Sequence, residues 1–114
     1  MNAGTALTVP VRYPKLSRFA KRAIHKALDG DPLVMGGRLY IVPSGSTLTA
    51  EFGLHGASGV VWMPLEPSNG IDLGNDRRLV PQDLLVIERG QPLAVTNHSD
   101  RLWVVIQWPV QFRE

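Results

Sequence analysis

The chain of 114 residues contains no cysteine, which excludes a disulfide framework and any metal site built from thiolates. It also lacks an uninterrupted apolar run of 18 residues, the length that a helix needs to cross a bilayer. The first sixteen residues, MNAGTALTVPVRYPKL, have no long apolar core behind their positive charges and so do not read as a signal peptide. We therefore expect a protein that is not secreted and has no transmembrane segment.

Charge is scarce and unevenly distributed. Only 19% of the residues are charged and 44% are apolar, which is typical of a single ordered globular domain. Residues 1–29 carry six arginines and lysines against one aspartate, whereas residues 30–114 carry six arginines against nine acids. The net charges of the two parts are therefore +5 and −3, within a total of +2. This difference predicts that the two parts face different partners, or each other.

The N-terminal residues predict an arm followed by a helix. Residues 1–13 are expected to form an extended arm, because threonine and valine favour extended backbone and Pro10 disfavours helix. Residues 14–30 predict a basic amphipathic helix, ended by Gly30 and Pro32. Its apolar residues recur at spacings of three and four and share one face: Leu16, Phe19, Ala20, Ala23, Ile24, Ala27 and Leu28.

From residue 33 to residue 114 the apolar residues alternate with polar ones, and clusters of glycine, proline, serine and asparagine interrupt them. This pattern predicts seven or eight short strands in one antiparallel β domain. Pro109 is expected to break the last long strand, and residues 68–76 are expected to form a loop. The predicted strands are 38–42, 47–52, 60–65, 78–80, 83–87, 92–97, 101–108 and 110–112.

The segment QDLLVIERGQPLAVTN, residues 82–97, resembles the second metal-site motif of the cupin family. That motif reads G, five residues, P, any residue, G, two residues, H, three residues, N. Its slots here hold Gln82, Glu88, Gly90, Leu93 and Asn97. The turn glycine and the asparagine match, but a leucine replaces the metal-binding histidine. We expect the two strands to form a tight hairpin in which Gly90 has a positive φ.

The resemblance implies a small cupin-type jelly roll, an antiparallel and mainly β fold, that keeps the frame of a metal site without its ligands. We expect no metal, no cofactor and no enzymatic activity. His55 and His98 lie in turn sequences, and two imidazoles alone are too few for a metal site. No serine lies in a Gly-x-Ser-x-Gly elbow. Glu66 and Asp72 are the only candidates for paired carboxylates, and both are expected to be solvated.

Partner binding is predicted for the basic stripe of the helix and for a tryptophan. The stripe consists of Lys15, Arg18, Lys21, Arg22, His25 and Lys26, and Arg12 at the end of the arm is a further predicted contact. It is suited to an acidic protein surface, to nucleic acid or to an anionic membrane, or it is simply solvated. Trp103 faces opposite to Leu102 and Val104 in its strand. Either both faces of that strand are covered, or Trp103 and Val105 form an exposed interface patch.

A basic helix and arm before a sandwich without metal ligands are similar in plan to the cement, or decoration, proteins of tailed-phage capsids. This resemblance implies a non-enzymatic structural protein of a virion or host cytoplasm. It would bind other subunits, with a major capsid protein as one candidate, and form homo-oligomers. One alternative is a metal-free cupin-like module that binds a small ligand among Leu85, Ile87, Leu93 and Val95. The other is a regulator associated with nucleic acid.

Overall fold

The computed structural model describes residues 7–10, 22, 33–34, 37–52, 57–81, 83–91 and 93–111. This part of the chain is mainly β, as predicted, and each of its strand pairings is antiparallel. Among these residues no helix has the length and apolarity needed to span a bilayer. The strands are β1 (Leu7–Pro10), β2 (Leu33–Val34), β3 (Arg38–Val42), β4 (Thr47–Thr49), β5 (Gly59–Glu66), β6 (Ile71–Gly74), β7 (Arg77–Leu79), β8 (Leu85–Glu88), β9 (Ala94–Thr96) and β10 (Trp103–Gln111).

The main sheet has the strand order β1-β3-β10-β5-β8, and β2 pairs with the far end of β10. The longest strand, β10, therefore lies at the centre of the sheet. β1 shows that part of the predicted arm belongs to the main sheet, since Leu7–Pro10 pairs with β3. The predicted helix lies outside the described residues except for Arg22, which is exposed.

Two shorter pairs complete the described strands, β4 with β9 and β6 with β7. The β6–β7 hairpin turns at Asn75 and Asp76, whose φ angles are 53° and 59°, as in a two-residue type I′ turn. Asp72 Oδ1 accepts a hydrogen bond of 2.9 Å from the Gly74 amide just before this turn. The predicted loop over 68–76 is therefore wrong in part, because Ile71–Gly74 forms a strand and Asn75 and Asp76 form the turn of a hairpin.

The main core lies between one face of the main sheet and the two strand pairs. We call it the first cluster: Tyr40, Val42, Leu48, Ala50, Val60, Trp62, Ile71, Leu79, Ile87, Val95, Trp103 and Val105. Full burial of a large apolar side chain contributes roughly 1.5–3 kcal/mol. Since every one of β3 to β10 supplies a member, this cluster holds the two strand pairs against the main sheet.

The opposite face of the main sheet is buried as well. Its side chains form a second cluster: Val61, Met63, Ile106, Trp108 and Val110. Successive residues of β5 alternate between the two clusters, as the pleat of a strand requires. A sheet covered on both faces favours strands that are largely apolar, which is the pattern of β10 apart from Gln107 and Gln111.

β10 does not end at Pro109, so that prediction is wrong. Pairing with β3 stops at Gln107, and pairing with β2 starts at Val110. On that side of β10, Pro109 has no described partner, and it faces Val60 of β5 on the other side. The missing N–H of proline is tolerated at such a gap in a ladder.

Candidate functional site

The cupin-like segment does not form the predicted hairpin. β8 pairs with β5 and β9 pairs with β4, so the connection after β8 joins two different sheets. Gly90 lies in an exposed turn, and its φ is outside the left-handed region; the predicted positive φ is wrong. Ile87 of β8 and Val95 of β9 both enter the first cluster. Both strands therefore bury apolar side chains in the same core, although they do not pair with each other.

At the position of the absent metal ligand, Leu93 is half-buried and packs against the first cluster. The motif asparagine, Asn97, is fully buried. Its Nδ2 donates to the carbonyl oxygens of Val42 at 2.9 Å and Arg101 at 2.8 Å. Its Oδ1 accepts from the amide of Ser99 at 3.0 Å and from the Ser99 hydroxyl at 2.6 Å. The full hydrogen-bonding capacity of the amide is therefore used to join β3 to the turn before β10.

A second polar network joins the end of β4 to the main sheet. Buried Gln107 accepts a hydrogen bond from the Glu51 amide at 2.7 Å, and its Nε2 donates to the Thr49 carbonyl at 3.3 Å. The Tyr40 hydroxyl donates to Glu51 Oε2 at 2.7 Å. The sequence contains a signal for this network, since Gln107 occupies a position of β10 on the same face as Val105. A polar residue there requires buried partners.

The indole of Trp62 has a buried N–H without a hydrogen-bond partner among the described residues. Its side chain is fully buried in the first cluster. An unsatisfied buried donor costs about 1–3 kcal/mol. Such a group is a candidate contact for a ligand or water molecule with an oxygen acceptor.

An open groove of about 610 Å³ lies beside β6 and β9. Three consecutive residues of β6, Asp72 to Gly74, and three of β9, Ala94 to Thr96, line it. In the part of the chain that the structure describes, β6 pairs only with β7, and β9 pairs only with β4. The charged or titratable side chains at the groove are Asp72, Arg78, His98, Asp100 and Arg101. The groove thus combines two open strand edges with charges of both signs.

The predicted partner-binding residues are placed as follows. Arg22 is exposed, whereas Arg12, Lys15, Arg18, Lys21 and Lys26 lie outside the described residues. Trp103 is 2% exposed and packs with Val105 in the first cluster. Both faces of β10 are therefore covered, which is the first of the two alternatives, and Trp103 also contributes to the wall of the groove.

The predicted polar candidates are dispersed. His98 is exposed in the turn after β9, and His55 lies outside the described residues. Glu66 and Asp72 are both exposed, as predicted for solvated acids. Within the ranges that the structure describes, no group of three or more histidine, aspartate or glutamate side chains could hold a metal ion.

Comparison with protein-family models gives no match, and no curated protein matches the sequence. Function therefore has to be inferred from the arrangement of the chain's own residues.

Proposed function

We propose that the protein is a non-enzymatic structural protein that binds other protein subunits in an assembly, such as a capsid cement protein on a virion. The observation that carries this proposal is the use made of the cupin-like segment. Leu93, at the position of the cupin metal ligand, packs against the first cluster. All the hydrogen bonds of the Asn97 side chain are made to β3 and to the turn before β10. A segment whose residues serve packing and strand connection favours a structural role over a catalytic one.

The proposal includes a jelly-roll fold for β3 to β10. Support comes from the way the chain alternates between the main sheet and the opposite layer. β3, β5, β8 and β10 belong to the main sheet, while β4, the β6–β7 pair and β9 lie between them in the sequence. Eight strands that alternate between two layers are typical of jelly rolls, which are common in capsid proteins. β1 and β2 would then be additions to the main sheet.

The proposed contact is between the basic stripe and an acidic neighbouring subunit. The net charge of +5 in residues 1–29 supports a partner of opposite sign, and Arg22 is exposed. Individual surface ion pairs contribute about 0–1 kcal/mol, so several have to form together. Binding is then expected to weaken as salt is added. The charged groove between β6 and β9 offers a second contact for the same neighbour.

The test is the mass of the native complex, followed by charge reversal. We expect the protein to be recovered in a particle much larger than 12.6 kDa. The double variant Arg18→Glu, Arg22→Glu should bind this particle more weakly at low salt. The matched control reverses Arg38 and Arg77, two exposed arginines of the β domain, and should bind normally.

Two outcomes would overturn this proposal. A native protein that is recovered free, with no larger complex, would contradict a structural role. If the purified protein shifts DNA in a salt-sensitive way that the Arg18→Glu, Arg22→Glu variant abolishes, the nucleic-acid function replaces it.

A second function, binding of a small ligand without metal, is favoured by the unpaired Trp62 N–H. The residues expected to line that site do face the first cluster: Leu85, Ile87, Leu93 and Val95. A ligand with an oxygen acceptor could satisfy the indole. The variant Trp62→Phe should then lose ligand-induced thermal stabilisation while the free protein loses little stability. A screen of small ligands that never raises the melting temperature of the wild type would remove this alternative.

A further inference from the structure

β8 is an edge strand of the main sheet, and its one charged residue, Glu88, lies at its end. β5 pairs with one side of it, and no described strand pairs with the other. Leu85 and Ile87 pack against the first cluster, while Leu84 and Val86 pack against the second. Leu84, Leu85 and Val86 are only half-buried. Natural edge strands commonly carry a charge or a proline that blocks further pairing. The other edge strand, β1, contains Pro10, but residues 84–87 contain neither device.

The backbone groups that β8 presents at its free edge follow from one hydrogen bond. The Arg89 amide donates to the Ser58 carbonyl at 2.9 Å, and the register places Glu88 opposite Gly59. In an antiparallel pair, residues whose backbone groups hydrogen-bond to the neighbouring strand alternate with residues whose backbone groups point away from it. Arg89, Ile87 and Leu85 therefore direct their backbone groups toward β5. The N–H and C=O groups of Val86 point away from β5, toward the open edge.

We infer that β8 is the contact of a symmetric dimer, in which β8 of a second copy pairs antiparallel with it. Val86 lies opposite Val86 on the two-fold axis, so that each donates to and accepts from the other. The same register places Leu85 opposite Ile87 and Asp83 opposite Arg89. The side chains of Leu85, Val86 and Ile87 then meet apolar side chains on the same face, Leu84 lies opposite Glu88, and the flanking charges are of opposite sign. Such an interface is isologous, as closed dimers require.

Other registers fit less well. After a shift of one residue, side chains that face the first cluster in one copy would lie opposite side chains that face the second cluster in the other copy. A shift of two residues in either direction would separate Asp83 from Arg89, so the two flanking ion pairs would be lost. The inference goes beyond the proposed function, because the dimer needs no other protein.

The first test measures mass for the purified chain from about 1 µM to about 1 mM by sedimentation. We expect the wild type to move from 12.6 kDa toward twice that mass as concentration rises. The variant Val86→Pro removes the outward N–H without removing a hydrogen bond to β5, and should raise the dissociation constant at least about tenfold. At concentrations where both are monomers, its circular dichroism should match that of the wild type, while its unfolding midpoint should fall slightly because Val86 packs against the second cluster.

The second test swaps the two flanking charges, which lie outside β8; Arg89 also donates a hydrogen bond to the Ala57 carbonyl at 3.5 Å, so the stability of each variant is measured alongside. Asp83→Arg and Arg89→Glu should each weaken the dimer by about tenfold, because each places like charges opposite one another. The double variant should restore the dimer. Three results would overturn the inference: a wild type that stays at 12.6 kDa throughout, a Val86→Pro variant that dimerises normally, or a double variant that shows no recovery. None of these three results would affect the assay on the native particle, because the dimerisation experiments contain only the purified chain.

Discussion

Among single residues, Asn97 has the clearest structural role. It is fully buried, and its amide joins β3, Ser99 and the Arg101 carbonyl. The motif resemblance pointed to this asparagine as a matching residue, but the sequence alone does not say which groups it bonds. Those partners lie up to 55 positions away in the chain, beyond the reach of any local pattern.

Asn97→Ala should lower the free energy of unfolding by about 2–4 kcal/mol, because it leaves buried carbonyl groups without donors. Urea unfolding followed by circular dichroism measures the loss. Asp100→Ala is the matched control, since Asp100 is exposed in the same turn. A variant at 97 that is as stable as the one at 100 would contradict the role given to the asparagine.

Gly37 matters because of a close approach. A Cβ at this position would lie 2.3 Å from Trp108 Nε1 and 2.7 Å from its Cδ1. Gly37→Ala should therefore displace the indole and destabilise the fold by about 1–3 kcal/mol. Thermal unfolding and tryptophan fluorescence report the two effects. At Gly90 nothing lies within 4 Å of the added Cβ, so Gly90→Ala should change neither observable.

The sequence pattern predicts where strands occur better than it predicts which strands pair with each other. Among the described residues, eight strands follow residue 37. This number agrees with the seven or eight predicted, although the sequence predicts a loop at β6 and two strands in place of β10. Arg38–Val42 matches its predicted bounds. Alternation reveals which side chains face a core, but not which strand lies alongside. The predicted hairpin across residues 83–97 is wrong for this reason. The groove between β6 and β9 was missed because it combines strand edges and turns that are far apart in the sequence.

The contribution of β1 to stability can be tested by truncation. Removal of residues 1–13 deletes β1 and leaves β3 at the edge, so we expect a loss of about 1–3 kcal/mol in stability. Removal of residues 1–6 keeps the four residue pairs of β1 with β3 and should cost little. Equal stability of the two truncated proteins in urea would show that β1 contributes nothing.

The second cluster provides a test for the predicted helix. Val61, Ile106 and Val110 are fully buried on the face of the main sheet away from the strand pairs. We expect the apolar stripe of residues 14–28 to cover this face. Phe19→Asp should then destabilise the protein by about 3–5 kcal/mol, whereas Lys15→Asp on the basic side should not. Similar unfolding midpoints for the two variants would contradict this packing.

At the scale of the whole molecule, the two proposed contacts are compatible. No residue of β8 lines the groove between β6 and β9, so a dimer through β8 would leave two grooves and two basic stripes open. Two linked sites bind a repetitive particle more tightly than one. Val86→Pro should therefore weaken binding to the native particle, by about tenfold or more, although every groove residue is unchanged. Undiminished binding by this monomeric variant would show that avidity plays no part.

The position of β10 in the main sheet also bears on how the protein is made. β3 and β5 each pair with β10 and not with each other. On the ribosome, the strands before residue 103 therefore emerge without the strand that unites them. We expect the main sheet to close only after residue 111 has left the exit tunnel. A nascent chain stalled before that point would expose its apolar strands to chaperones and proteases.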